Sequence, residues 1–266
     1  MSRIKLLPQY AGVIVKPRAR DYLVDGERYQ RVTTALGIIN KPALIPWAKR
    51  VTLKRVEEIL LNKRVSEELA AVVGESPAAY AEFIGLLIAD AGKASGEERD
   101  ARADLGTEAH AHIHTALTLH PDEVPPYVVS LAGDQQPPVR AALDFVKSHG
   151  ITVVEAEAVV WDDILKVAGT IDGVGEIGDD LVIWDWKTGA GIYWETALQL
   201  AAYSALLMRV TGRRVSEAFA VRLPRFTNAP PDVRRLDAVG LGDAFNAYIH
   251  ALHLNRARNE ELWVDE

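Results

Sequence analysis

The sequence contains no cysteine. That absence removes disulfide bonds, thiolate zinc sites and cysteine-ligated iron–sulfur clusters as sources of stability or chemistry. Long hydrophobic runs are missing too: no stretch approaches the ~18 apolar residues that a bilayer-spanning helix needs. The first residues, MSRIKLLPQYAGVIVKPRAR, carry basic groups but neither the long apolar segment nor the small-residue cleavage site of a secretory signal, so a cytoplasmic location and no membrane partner are expected. There is no G-x-x-x-x-G-K-[ST] phosphate loop, which excludes a nucleotide-driven motor within these residues. Internal repeats and low-complexity tails are also absent.

A surplus of positive charge is lacking overall, since the net charge is −7. Its distribution is uneven. Residues 1–64 hold 14 Lys and Arg against 5 Asp and Glu, and residues 209–235 hold 7 against 2. A local basic face can steer a polyanion even on an acidic protein. The remaining composition, 48% hydrophobic and 25% charged, is that of an ordinary globular chain.

The N-terminal half reads as helical after one hairpin. Residues 20–34 alternate around Asp25-Gly26, a favoured two-residue turn. Residues 44–62 form a helix with Pro46 in its first turn, and segments 66–73, 77–92 and 97–119 read as further helices. Gly106 inside the last one permits close approach of another group. A proline-rich loop follows, then a short helix over 137–149. From residue 151 the period changes to that of strands: TVVEAEAVVW, LKVAGTIDGV and LVIWDWK. A helix over 194–211 ends at Gly212, two more strands lie in SEAFAVRLP and DVRRLDA, and a helix over 241–258 follows.

The chemistry concentrates in Gly169 to Tyr203. Asp185 and Lys187 stand two apart on a strand, so they project from one face with Trp186 on the other. If the preceding strand pairs with it, Asp172 lies near Asp185. Two close carboxylates favour a cation between them, and hard oxygen donors without thiolate favour Mg²⁺ or Mn²⁺. Such an ion polarises a phosphodiester, and Lys187 would orient water or offset charge on phosphate. His110, four residues after Gly106, is a candidate third ligand; a rival zinc site would use His110, His114 and His120. Glu155 and Glu157 share one face of the first strand, and Glu157 is the candidate ligand for a second ion. Gln199 and Tyr203 share a helix face at i and i+4, where they can bond a phosphate or the lysine.

Gly106-Thr107-x-x-His110, Gly169-Thr170-Ile171-Asp172, Asp185-Trp186-Lys187-Thr188 and Gln199-x-x-x-Tyr203 together resemble the motif series of RecB-like nucleases of the PD-(D/E)XK superfamily, over about residues 98–210. Upstream, RVTTALGIINKPALIPWAKR resembles the leading segment of phage exonucleases in this group and of the mitochondrial genome maintenance exonuclease. The resemblance implies an α/β fold, a mixed central sheet flanked by helices, with a helical N-terminal extension. It implies His110, Asp172, Asp185 and the carbonyl of Trp186 as metal ligands, Lys187 as the catalytic lysine, and Gln199 and Tyr203 as its supporting motif. The iron–sulfur clusters of some relatives are excluded by the missing cysteines.

The expected organisation is an N-terminal hairpin and helical DNA-guiding region over residues 1–97 and a nuclease core over 98–266, packed together. The expected function is a metal-dependent, ATP-independent DNA exonuclease in a bacterial or phage-infected cell, serving recombination, replication or repair. Its partner would be single-stranded DNA or duplex ends, with Trp47 or Tyr80 stacking on bases. The alternatives are a flap- or branch-specific endonuclease, and a silent nucleic-acid-binding module.

Overall fold

The structure, a computed structural model, describes residues 4–39, 44–73 and 76–259. Three short antiparallel strands come first: β1 (Val15–Pro17), β2 (Asp21–Val24) and β3 (Glu27–Arg31). Asp25 and Gly26 close the β2–β3 hairpin with φ of 49° and 88°, the left-handed pair that matches strand twist. A one-turn helix, α1 (Val32–Ala35), follows. Then come α2 (Leu44–Leu61), α3 (Lys63–Val73), α4 (Pro77–Thr118), α5 (Val124–Ser130) and α6 (Gln136–Ser148). Strands β4 (Thr152–Asp162), β5 (Val167–Ile177) and β6 (Asp180–Lys187) lead into α7 (Glu195–Thr211), and β7 (Val215–Arg222), β8 (Asp232–Asp237) and α8 (Ala238–Asn259) complete the described chain.

Two expectations are redrawn. Segments 77–92 and 97–119 are one helix, α4. Glycines 92 and 96 weaken it by about 1 kcal/mol each, but no proline interrupts its hydrogen-bond ladder. The proline-rich loop contains α5, because Pro125 and Pro126 stand in its first turn, where a missing N–H costs nothing. Residues 40–43 of the upstream segment lie outside the described residues.

The chain divides into two compact units: residues 1–39 with 106–266, and residues 40–105. The division differs from the boundary after residue 97. The N-terminal strands belong to the sheet because β3 runs parallel to the start of β5, Gln30 beside Val167 and Arg31 beside Ala168.

Within the sheet unit the order is β1-β2-β3-β5-β6-β7-β8, with β4 also on β5. Strand β4 covers one edge of β5 along nearly its whole length. The opposite edge is shared: β6 pairs with Gly173–Ile177 and β3 with Val167 and Ala168. Gly169 to Asp172 therefore lie at a fork, where that edge has no strand partner. Strands β6 and β7 are parallel, as a crossover through α7 requires. One apolar cluster joins Ile183, Leu200, Leu206 and Tyr248, so α7 and α8 cover one face. Ile113, Phe145, Trp184, Trp186 and Phe219 form the second cluster, which carries α4, α6 and the other face. Phe145 sits at its centre, with ring centroids 5.6 Å from Trp186 and 5.5 Å from Phe219.

The helical unit is built differently. Among the described residues of 40–105, Ala91 and Ala94 are the buried apolar side chains, and α2 and α3 bury none. Arg55 on α2 reaches Glu97 at 2.9 Å and Asp90 at 3.9 Å on α4. Lys54–Glu58, Lys63–Glu67 and Arg64–Glu68 pair at i and i+4.

Candidate active site

The fork in the sheet creates the site. After Trp184, β6 leaves β5, and the backbone N–H of Trp186 loses its strand partner on that side. Asp172 replaces it: its Oδ2 accepts the Trp186 N–H at 2.7 Å. One carboxylate oxygen is thereby fixed by backbone, and Oδ1 is left for other partners.

Strand parity then sets the next groups. Trp186 packs into the aromatic cluster on one face, so Asp185 and Lys187 point to the other, toward α7. Gln199 on α7 clamps them. Its Nε2 donates to Asp185 Oδ1 at 2.8 Å and its Oε1 accepts from Lys187 Nζ at 3.0 Å. Gln199 Nε2 also lies 3.2 Å from Tyr203 OH, one helical turn on. The Lys187 ammonium is 2.6 Å from Asp185 Oδ2. The ring of Tyr203 lies over Gly169, where an added Cβ would come within 2.4 Å of it. Glycine is required there because the ring occupies the side-chain position.

His110 arrives from α4. Its Nδ1 is 3.4 Å from Asp172 Oδ1. One turn earlier, a Cβ on Gly106 would meet Thr188 Oγ1 at 2.8 Å. The glycine thus lets the helix approach the end of β6, and His110 follows into place.

Burial and charge compete at each group. Burial, reinforced by the Asp172 charge and partly offset by Lys187 and His110, pushes the Asp185 carboxyl up to about 6. Burial opposes the charge on His110, but its hydrogen bond to Asp172 and the charges of Asp172 and Asp185 outweigh it and raise its pKa. Burial likewise opposes the Lys187 ammonium, and Asp185, Asp172 and Glu195 more than compensate, raising it. Lys187 is therefore a cation at neutral pH. Burial beside Asp185 holds the Tyr203 phenol well above its ordinary value, so it stays protonated.

A sequence model of the PD-(D/E)XK nuclease superfamily matches residues 46–262. The chain belongs to this superfamily. No curated protein matches it in sequence. Among solved structures it is similar to an alkaline exonuclease, LHK-Exo from Laribacter hongkongensis, at 14% identity and TM-score 0.29, covering 56% of this chain and 92% of that one. The same enzyme in complex with dAMP gives 14% identity and TM-score 0.30, covering 56% and 87%.

PD-(D/E)XK nucleases generally use divalent ions, and the donor set here suits one. Asp172 and Asp185 supply hard oxygen and His110 an imidazole. Asp185 Oδ2 is buried, with the Lys187 ammonium at 2.6 Å as its ion-pair partner. The raised Asp185 pKa means that this one ammonium does not fully offset its burial and the Asp172 charge, and a further cation would. Among the described residues, no three His, Asp or Glu side chains form a group that could hold a metal ion as they stand; His110 is paired with Asp172, and Asp185 with the Lys187 ammonium.

The other candidates have partners of their own. Glu157 falls between the pairs Ala156–Gly173 and Ala158–Ile171, opposite Asp172. Its φ of 56° is uncommon for a residue with a side chain, and its carboxylate lies 3.9 Å from His114 Nδ1. Glu155 accepts the backbone N–H of Ile4 at 2.9 Å. His112 bonds Tyr127 OH at 2.8 Å and His120 lies 3.5 Å from Asp122. Among the described residues, His110, His114 and His120 form no group that could hold a metal ion, which leaves the zinc alternative without support.

Two contributors were not foreseen. Tyr22 OH is 2.9 Å from Thr170 Oγ1, which ties the N-terminal hairpin to the strand carrying Asp172. Glu195, at the start of α7, acts on Lys187 through its charge. Nothing in the local sequence marks Tyr22; Glu195 is legible as an acidic residue in a first helical turn.

Proposed function

We propose that this PD-(D/E)XK nuclease is a metal-dependent, ATP-independent DNA exonuclease of the RecB-like, phage type. His110, Asp172, Asp185 and the Trp186 carbonyl would hold Mg²⁺ or Mn²⁺, with Glu157 serving a second ion. The observation that carries the reading is the linked set Asp185–Gln199–Lys187, closed by Tyr203 and set beside an Asp172 anchored on the Trp186 N–H. When bound, the ion supplies Lewis-acid polarisation of the phosphodiester and a more acidic water.

The protein groups do the positioning. Asp172 and Asp185 converge on the fork. Gln199 holds Asp185 and Lys187 at once, so the lysine cannot swing away. The protonated Lys187 donates to the attacking water or to a non-bridging phosphate oxygen, where it offsets developing negative charge. Its raised pKa makes it a donor and electrostatic partner, not a base. Tyr203 accepts from the same Gln199 Nε2 that holds Asp185.

Guidance of DNA by α2 and α3 has less support. Residues 40–105 hold 10 Lys and Arg against 11 Asp and Glu, and Lys54, Arg55, Lys63 and Arg64 each face a carboxylate. The test uses 5′- and 3′-labelled single- and double-stranded DNA and a closed circle, with Mg²⁺, Mn²⁺ or EDTA, with and without ATP, beside Lys187→Ala. Metal-dependent release of nucleotides from ends, lost in the variant and indifferent to ATP, is expected. Cutting of the circle would select the endonuclease. Binding without cleavage under either metal would leave a silent binding module.

A further inference from the structure

Strands β6 and β7 are parallel and in register at Lys187 and Arg222, and the Leu223 N–H donates to the Lys187 carbonyl at 2.8 Å. Both strands therefore end together, and the loops after them, residues 188–194 and 223–231, leave the sheet beside the lysine. These loops carry Tyr193, Trp194 and Phe226, with exposures of 49%, 62% and 76%. Among the described residues, Tyr80 is the other exposed aromatic. Three exposed rings thus sit on the two loops that follow the strand ends at the site.

The rings are carried on ordered backbone. The carbonyls of Tyr193 and Trp194 accept the N–H groups of Thr196 and Ala197 at 3.0 and 3.1 Å, which opens α7 directly after them. The next residue, Glu195, already feels the charge of Lys187. Arg225 precedes Phe226 on the second loop, while Arg209, Arg213, Arg222 and Arg235 pair with Asp162, Glu176, Asp232 and Glu217. Exposed aromatics on the loops that leave a phosphodiester site match the way unpaired strands are bound, by stacking of successive bases on rings.

We propose that Trp194 and Phe226, with Tyr193 beside them, form a stacking platform that holds an unpaired nucleic-acid strand against the site and gives the enzyme its preference for single-stranded ends. This rests on the nuclease reading for its role in turnover, and is separable from it in binding. Anisotropy of a labelled single-stranded oligonucleotide and of its duplex, both in EDTA, is measured for the wild type, Trp194→Ala, Phe226→Ala, the double variant and Trp194→Phe. Each alanine is expected to raise the single-strand Kd by about tenfold, the duplex Kd less, and Trp194→Phe to restore most of the loss. In cleavage, KM on single strands rises with Kd while kcat changes less.

An unchanged single-strand Kd in the double variant overturns the platform even if the wild type cleaves normally. Equal losses for Trp194→Ala and Trp194→Phe reduce Trp194 to a structural role at the helix start and overturn it as well. Changed sedimentation without changed Kd assigns the rings to contact between copies, again against the proposal. Loss of binding in a protein that never cleaves sustains the platform and removes the nuclease reading. A wild type that neither binds nor cleaves removes both.

Discussion

The sheet unit and the helical unit solve the same folding problem with different materials. The sheet unit fills its interior with rings and branched chains, with Trp184, Phe145, Ile171 and Leu206 fully buried. Gly169, Gly173 and Gly175 of β5 are there because neighbours occupy their side-chain space: a Cβ on Gly173 would meet the Trp184 ring at 1.9 Å. The helical unit buries Ala91 and Ala94 among its described residues, exposes Leu53, Leu61 and Leu86, and spends its charges on its own carboxylates. Its glycines at 85, 92 and 96 face open space. One unit is specified by packing, the other by helix propensity and surface pairs. Precise chemistry requires the first kind of support, because side chains locked by packing hold reacting groups in place.

The comparison breaks most sharply at Lys187. Lys187→Ala should lower cleavage by about 10²–10³-fold, whereas Lys63→Ala or Arg64→Ala in α3 should stay within a few-fold of the wild type. Steady-state rates on one labelled DNA under Mg²⁺ decide this; equal losses would mean that α3 handles substrate as directly as β6 does.

Leucine truncation follows. Leu206→Ala should cost about 2–5 kcal/mol, since its side chain is fully buried. Leu61→Ala, at 77% exposure, should stay within about 0.5 kcal/mol. Urea titrations measure both, and a large loss at Leu61 would mean that the helical surface is covered in solution.

Glycine substitutions should differ in sign. Gly173→Ala should destabilise by about 1–3 kcal/mol through overpacking, whereas Gly92→Ala should stabilise by up to about 1 kcal/mol through helix propensity. Thermal melts of the two variants suffice.

The pH effect is confined to the sheet unit. The Asp185 carboxyl is raised from 3.8 to about 6 in the fold. A raised carboxyl stabilises the fold while it is protonated, so its contribution is complete below the unfolded value and is lost as pH rises through about 6. In EDTA, the wild type should therefore lose stability relative to Asp185→Asn between pH 4 and 7. Added Mg²⁺ or Mn²⁺ should raise the wild-type Tm more at pH 7 than at pH 5, because protons compete with the ion. A cation effect that ignores pH would place the ion away from Asp185.

Much was legible in the sequence because it follows from short-range rules. The two-residue strand period put Asp185 and Lys187 on one face and Trp186 on the other. The helical period put Gln199 and Tyr203 together. Asp25-Gly26 and Gly212 marked a turn and a helix end, and both places take left-handed backbone, Gly212 at φ 73°. The four motifs in order identified the superfamily. The tertiary structure alone decided the fork in β5, the Trp186 N–H on Asp172, the placing of β3 beside β5, and the Gly106–Thr188 contact that admits His110. It also divided the basic N-terminal stretch between the two units and set Lys54, Arg55, Lys63 and Arg64 of the helical one against carboxylates. Local rules reach about four residues along the chain; these features depend on which distant surfaces fit, and only the folded chain brings those surfaces together.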